Sequence, residues 1–144
     1  MKGLSRLLPN LAKFWRLNVP EKSLLIRVFV VLAVCKVLLL IIPFRRFVNF
    51  TKTTPQEALT DAFINKRVWA VRAVSAQVPF GFTCLVQAIS TKWLLRNHPD
   101  VRVHIGVRKD RVEGFSAHAW LTYKNSIILG EQSNHAFEPI LTWD

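Results

Sequence analysis

The sequence predicts an α+β fold, a run of helices followed by a small antiparallel sheet. Hydrophobic residues recur at helical spacing up to about residue 96, the period switches to two from Val101 onward, and the two patterns follow one another instead of alternating. The chain has 144 residues, 51% of them hydrophobic, which suits one core of ordinary size and excludes a disordered chain. Two cysteines exclude a disulfide scaffold. The expected division is a basic, apolar helical region over residues 1–53 and a compact core over residues 54–144.

The first segment carries most of the charge. Of the net charge of +11, residues 1–50 hold nine Lys or Arg against the single acid Glu21, a surplus of eight. An anionic partner should therefore meet the protein there. Nucleic acid is disfavoured, because the cations are interleaved with aliphatic residues and not with stacking aromatics. The same segment contains Leu24–Ile42, nineteen residues with only Arg27 and Lys36 charged and Pro43 as the stop. Its length is near the ~20 residues of a membrane span. Each internal cation costs about 2.5–3.5 kcal/mol at mid-bilayer, which favours a helix packed on the soluble domain or on a partner. The expected localisation is cytoplasmic, with membrane association through residues 24–42 left open.

The next helix is expected from Thr54-Pro55-Gln56-Glu57, which has the form of a capping box with proline at the first helical position. Leu59, Ala62, Phe63, Val71, Val74 and Val78 continue it, with a break near Asn65-Lys66, and Pro79 ends it. A further helix follows Phe80-Gly81-Phe82-Thr83-Cys84 and is expected to include Arg96 near its end. Val101, Val103, Ile105 and Val107 alternate with polar residues as a strand. Phe115, Ala117, Ala119 and Leu121 form the apolar face of a second strand, and Ser126–Leu129 is a third.

The chemistry is expected at Cys84. A thiol at a helix N-terminus meets free amides and the positive end of the dipole, which favour a thiolate and can hold an oxyanion. Cys35, inside the apolar run, reads as a core residue. A nucleophilic thiol needs a base, and His118 lies on a strand with its side chain directed away from the Phe115–Leu121 face. His104 reads as an ordinary strand histidine. A two-residue turn at Lys124-Asn125 would pair Tyr123 with Ser126 and, counting back in step, His118 with Glu131, whose carboxylate could then orient the imidazole.

The segments PFGFTCLVQAISTKWLLR, VRVHIGVRK, FSAHAWLTY and SIILGEQ together resemble the transglutaminase-like family of lasso-peptide maturation proteins, in particular its stand-alone B-type leader peptidases. The resemblance covers about residues 55–140. It implies a papain-like cysteine peptidase, with Cys84 as nucleophile and His118 as base, that removes the leader from a ribosomally made precursor before macrolactam closure. The family acid, typically Asp, falls about a dozen residues after the histidine, where this chain has Gly130; Glu131 departs from the pattern. The resemblance further implies a small pocket near Cys84 for the penultimate leader residue, a separate leader-recognition protein, and an asparagine-synthetase-like cyclase. No glycine-rich phosphate loop is present, so no cofactor is expected in this chain and ATP use belongs to the cyclase.

Two other classes stay open on the residues alone. A Cys-dependent acyl or amine transferase of transglutaminase type would use the same Cys84 and His118. A non-catalytic basic binding module would use only the N-terminal charge.

Overall fold

The structure, a computed structural model, describes residues 15–43, 46, 58–78, 81–110, 114–131 and 137–143. Among these, three helices precede four strands: α1 (Val19–Ile41), α2 (Asp61–Gln77), α3 (Cys84–Leu94), β1 (Val101–Asp110), β2 (Gly114–Tyr123), β3 (Ser126–Leu129) and β4 (Glu138–Trp143). The sheet is antiparallel in the order β3-β2-β1-β4. The fold is α+β, as the change of period predicts.

Asn18 opens α1, its amide donating to Glu21 Oε2, with Pro20 in the first turn where a missing amide costs nothing. The helix buries Val28, Leu32 and Cys35 completely against α2 and α3. It is the one helix among the described residues long and apolar enough to cross a membrane by length and composition. Cys35 behaves as a core residue: burial pushes its thiol up, and the Ser90 hydroxyl beside it offsets only part of that.

The start of α2 differs from expectation. The Thr54–Glu57 capping box lies outside the described residues, but Ala58, Leu59 and Thr60 are not helical, so no helix runs on from it. Instead Thr60 is the cap, its Oγ1 accepting from the Phe63 amide at 3.3 Å, and Asp61 favours the first turn. The helix then continues unbroken through Asn65-Lys66 to Gln77. Pro79 lies outside the described residues.

Helix α3 is shorter than its apolar pattern. Leu95 is the C-cap, the Asn97 amide reaches back to the Lys92 carbonyl, and Arg96 and Asn97 both take positive φ, 60° and 50°. Arg96 therefore sits beyond the helix and not in its last turn. Lys92 is buried and donates through Nζ to the Val101 carbonyl at 2.7 Å, tying the end of α3 to the start of β1.

Strands β1 and β2 pair Val101 with Tyr123, Val103 with Leu121 and Ile105 with Ala119, all on the face that closes the core under the helices. Phe115 and Ala117 continue that face in sequence but are exposed. Strand β4 was not legible as a strand. It pairs with the β1 edge through Ile105↔Leu141 and Gly106↔Pro139, with an irregularity between them, and Pro139 is tolerated there because the strand is at the sheet edge.

Candidate active site

Thr83 and the turn before it set the start of α3. Thr83 Oγ1 accepts from the Val86 amide at 3.4 Å and its carbonyl accepts from the Gln87 amide at 3.0 Å. Among the described residues the amides of Cys84 and Leu85 take no acceptor, so they are the donors an oxyanion at this end would meet. Gln87 Nε2 donates to the Phe82 carbonyl at 2.7 Å, and Gly81 turns the chain with φ of 54°. Helix α1 braces this turn: Lys36 Nζ donates to the Gly81 carbonyl at 3.4 Å and lies 5.7 Å from the Phe82 ring centre, against which Phe29 packs edge-on. Cys84 is half-buried at the margin of the core.

His118 lies on the opposite face of the sheet from Ala119 and Leu121, as its strand phase predicts. Among the described residues no hydrogen bond joins its ring to Cys84. Its Nε2 lies 2.8 Å from the Gly130 carbonyl oxygen. A carbonyl can only accept, so Nε2 carries the hydrogen and, in the neutral ring, Nδ1 holds the lone pair. The tautomer is thus fixed by a main-chain atom, at the position where the resemblance called for an acid.

Glu131 does not take that place. The hairpin begins as the sequence suggests, with Lys124 and Asn125 at φ of 47° and 67° and Tyr123 opposite Ser126. The register then slips: Thr122 faces Ile127, but Leu121 faces Leu129, so Ile128 is the extra residue of a bulge. Strand β3 stops at Leu129, the His118–Glu131 pairing is not made, and Glu131 is exposed. Gly130 turns inward instead. With φ of 86° and its α-carbon against β2, a Cβ there would lie 2.8 Å from the Ala119 carbonyl and 2.9 Å from Trp120 Cα.

Trp120 carries no site signal in the sequence, yet it sits at the centre of an aromatic cluster. Its indole stacks on His118 at 6.3 Å and on His104 at 5.4 Å, and the Phe137 ring lies tilted against His118 at 5.3 Å. His104 is held at both ring nitrogens, Nδ1 to Thr142 Oγ1 at 2.9 Å and Nε2 to Thr122 Oγ1 at 2.8 Å. Burial, and then the charge of Arg102, push the His104 pKa down, which keeps this ring neutral beside the indole. Gly106, directly opposite His118, makes room for the stack: a Cβ would come within 2.7–2.9 Å of the Trp120 ring and Phe137 Cβ. A glycine inside the alternating Val101–Val107 strand was the available signal for this close approach. Among the described residues no three His, Cys, Asp or Glu gather as a metal site.

A family model described as the transglutaminase-like superfamily matches residues 29–142. Neither the curated proteins nor the solved structures gave a match. The family generally includes cysteine peptidases and transferases, and a cysteine at the start of a helix beside a sheet that carries a tautomer-fixed histidine is chemistry of that kind. The matched region takes in the second half of α1, all of α2 and α3, and nearly the whole sheet, and on that extent the chain belongs to the transglutaminase-like superfamily.

Proposed function

We propose that the protein is a cysteine peptidase that removes the leader from a ribosomally made lasso-peptide precursor. The observation that carries the reading is the His118 ring, whose Nε2–H is committed to the Gly130 carbonyl so that Nδ1 is the basic nitrogen. The motif resemblance around Cys84 and His118 supplies the substrate class. In the reaction Nδ1 takes the Cys84 thiol proton, and the thiolate attacks the carbonyl carbon of the last leader residue. The amides of Cys84 and Leu85 hold the resulting oxyanion. The scissile C–N bond breaks as the imidazolium returns its proton to the leaving amine, which is the new N-terminus of the core peptide. Water, deprotonated by Nδ1, then releases the leader as a free carboxylate. Among the described residues no Cys84–His118 hydrogen bond is made, so this step requires thiol and imidazole to be brought within reach of one another once substrate is seated.

Leader recognition falls to a separate protein in this reading, and ring closure to an asparagine-synthetase-like cyclase that uses ATP. The test is incubation of the protein with precursor and leader-binding partner, followed by mass analysis. Hydrolysis yields a leader fragment with a free carboxylate; a leader joined to an amine would establish a transferase instead. Cys84→Ala and His118→Ala should each abolish product, and full cleavage by Cys84→Ala would overturn the catalytic reading.

A further inference from the structure

Helix α1 presents two faces of opposite kind. Val28, Leu32 and Cys35 are buried in the domain, whereas Ile26, Phe29, Val30, Val37, Leu40 and Ile41, on the other side, are between 47% and 80% exposed. That is a continuous apolar stripe over about four helical turns, more than a soluble monomer commonly leaves open. At about 100° per residue, Arg27 lies along one margin of the stripe, next to Val30 and Val34, and Lys36 along the other, next to Phe29. The two cations that interrupt the apolar sequence therefore border the stripe and do not lie within it.

On the Arg27 side, three helices bring guanidinium groups to one cavity. Arg27 of α1, Arg67 of α2 and Arg96 after α3 line about 230 Å³ together with Leu24, Val31 and Trp93. No carboxylate lines it, and among the described residues none of the three arginines has an acidic partner. Burial first, and then the charges of Arg27 and Arg96, push the Arg67 pKa down; the Phe63 ring lies 3.3 Å from the Arg67 guanidinium and 5.3 Å from that of Arg96. Arg96 reaches the cavity from a backbone at positive φ. A phosphate group suits such a triad, because guanidinium binds oxyanions through paired N–H donors.

We infer that α1 lies flat on an anionic bilayer, its stripe among the acyl chains and a lipid phosphate in the Arg27–Arg67–Arg96 cavity. Charge favours this occupant over a second copy of the chain, which would bring another surplus of eight positive charges in residues 1–50 against the first. Packing favours lying over spanning, because the face bearing Val28, Leu32 and Cys35 is already held by α2 and α3.

The test uses the full chain with vesicles of phosphatidylcholine alone and of equal parts phosphatidylcholine and phosphatidylglycerol. Sedimentation with the mixed vesicles, little with the neutral ones, and release by high salt are expected. Val30→Asp with Val37→Asp should abolish binding without changing the melting temperature, both residues being exposed. The triple change Arg27→Gln, Arg67→Gln, Arg96→Gln should weaken it about a hundredfold, and Arg27→Gln alone about fivefold. Equal binding to both vesicle types would overturn the inference. So would retention in the pellet after alkaline carbonate, which means spanning, or a dimer that Val30→Asp disrupts. Stabilisation of the triad by inorganic phosphate without vesicle binding would assign the cavity to a free anion and overturn the bilayer as its source.

Discussion

Replacing Gly130 tests whether a main-chain carbonyl orients His118. A side chain at this position carries two separate costs. Positive φ, here 86°, disfavours an L-residue by about 1–2 kcal/mol. The added Cβ would stand 2.8 Å from the Ala119 carbonyl and 2.9 Å from Trp120 Cα, main-chain atoms that cannot swing aside, and overpacking of this kind costs about 1–3 kcal/mol. Gly130→Ala should therefore lose about 2–5 kcal/mol of stability, a drop of roughly 6–20 °C in melting temperature for a chain of this size. The chain can escape part of the cost only by moving residue 130 away from β2, which breaks the 2.8 Å bond to Nε2. Nitrogen-15 NMR of the histidine side chains reads that second consequence. The wild type should show His118 with the hydrogen on Nε2, and Gly130→Ala a mixture of tautomers with a slower cleavage rate. Gly130→Asp, which places there the acid that the resemblance implies, should do worse than alanine. A variant that melts with the wild type and keeps one tautomer would refute the reasoning.

Two further predictions concern the surroundings of the site. Glu131→Gln should cleave precursor at nearly the wild-type rate in a single-turnover assay, because the exposed carboxylate is off the hairpin register; a loss as large as that of His118→Ala would return Glu131 to the mechanism. His104 makes stability pH-dependent in a definite direction. Its folded pKa lies below the ordinary value of about 6.5, so below that pH the unfolded chain binds more protons than the folded one. The stability it confers is complete above about pH 6.5 and is lost as the pH falls through the lowered folded value. The fall in melting temperature on acidification should be smaller in His104→Gln than in the wild type, and an unchanged slope would exclude His104 as its source.

How much was legible depended on whether a feature repeats along the chain. The paired apolar residues of β1 and β2 recur every second position, so both strands and the two-residue turn at Lys124-Asn125 could be read directly. The bulge at Ile128 could not, because nothing in Ser126–Leu129 marks which residue is extra, and one uncounted residue moved the supposed partner of His118. Strand β4 was hidden by Pro139, which argues against a strand anywhere except at an edge, and no local signal says that this strand would be one. For α2 the stronger motif misled: Thr54-Pro55-Gln56-Glu57 has more of the capping signature than Thr60-Asp61, yet residues 58–60 are not helical and the cap is Thr60. Cys84 could be found because a turn and a cap precede it. The Gly130 carbonyl could not, since a main-chain acceptor has no residue type, and only the missing acid hinted that something else must hold the ring.

Lys36 joins the sequence puzzle to the site, and it can be tested by removal. It is one of the two cations that count against a membrane span in the apolar run, and the structure gives it a use: it crosses from α1 to the Gly81 carbonyl, three residues before Cys84. The 3.4 Å bond is long and solvent-accessible, and the ammonium is 5.7 Å from the Phe82 ring, so together they are worth about 0.5–1 kcal/mol. Lys36→Met keeps the length and the apolar stem, and its melting temperature should fall by only about 2–4 °C. The effect on turnover should be larger than that shift suggests, because the Gly81–Thr83 turn sets the direction of the Cys84 amide and thiol, and small misplacement of an attacking group is costly. The loss should appear in kcat with KM little changed, and Lys36→Arg should restore part of it. If Lys36→Met cleaves precursor at the wild-type kcat, the lysine only ties α1 to the domain and has no part in positioning Cys84.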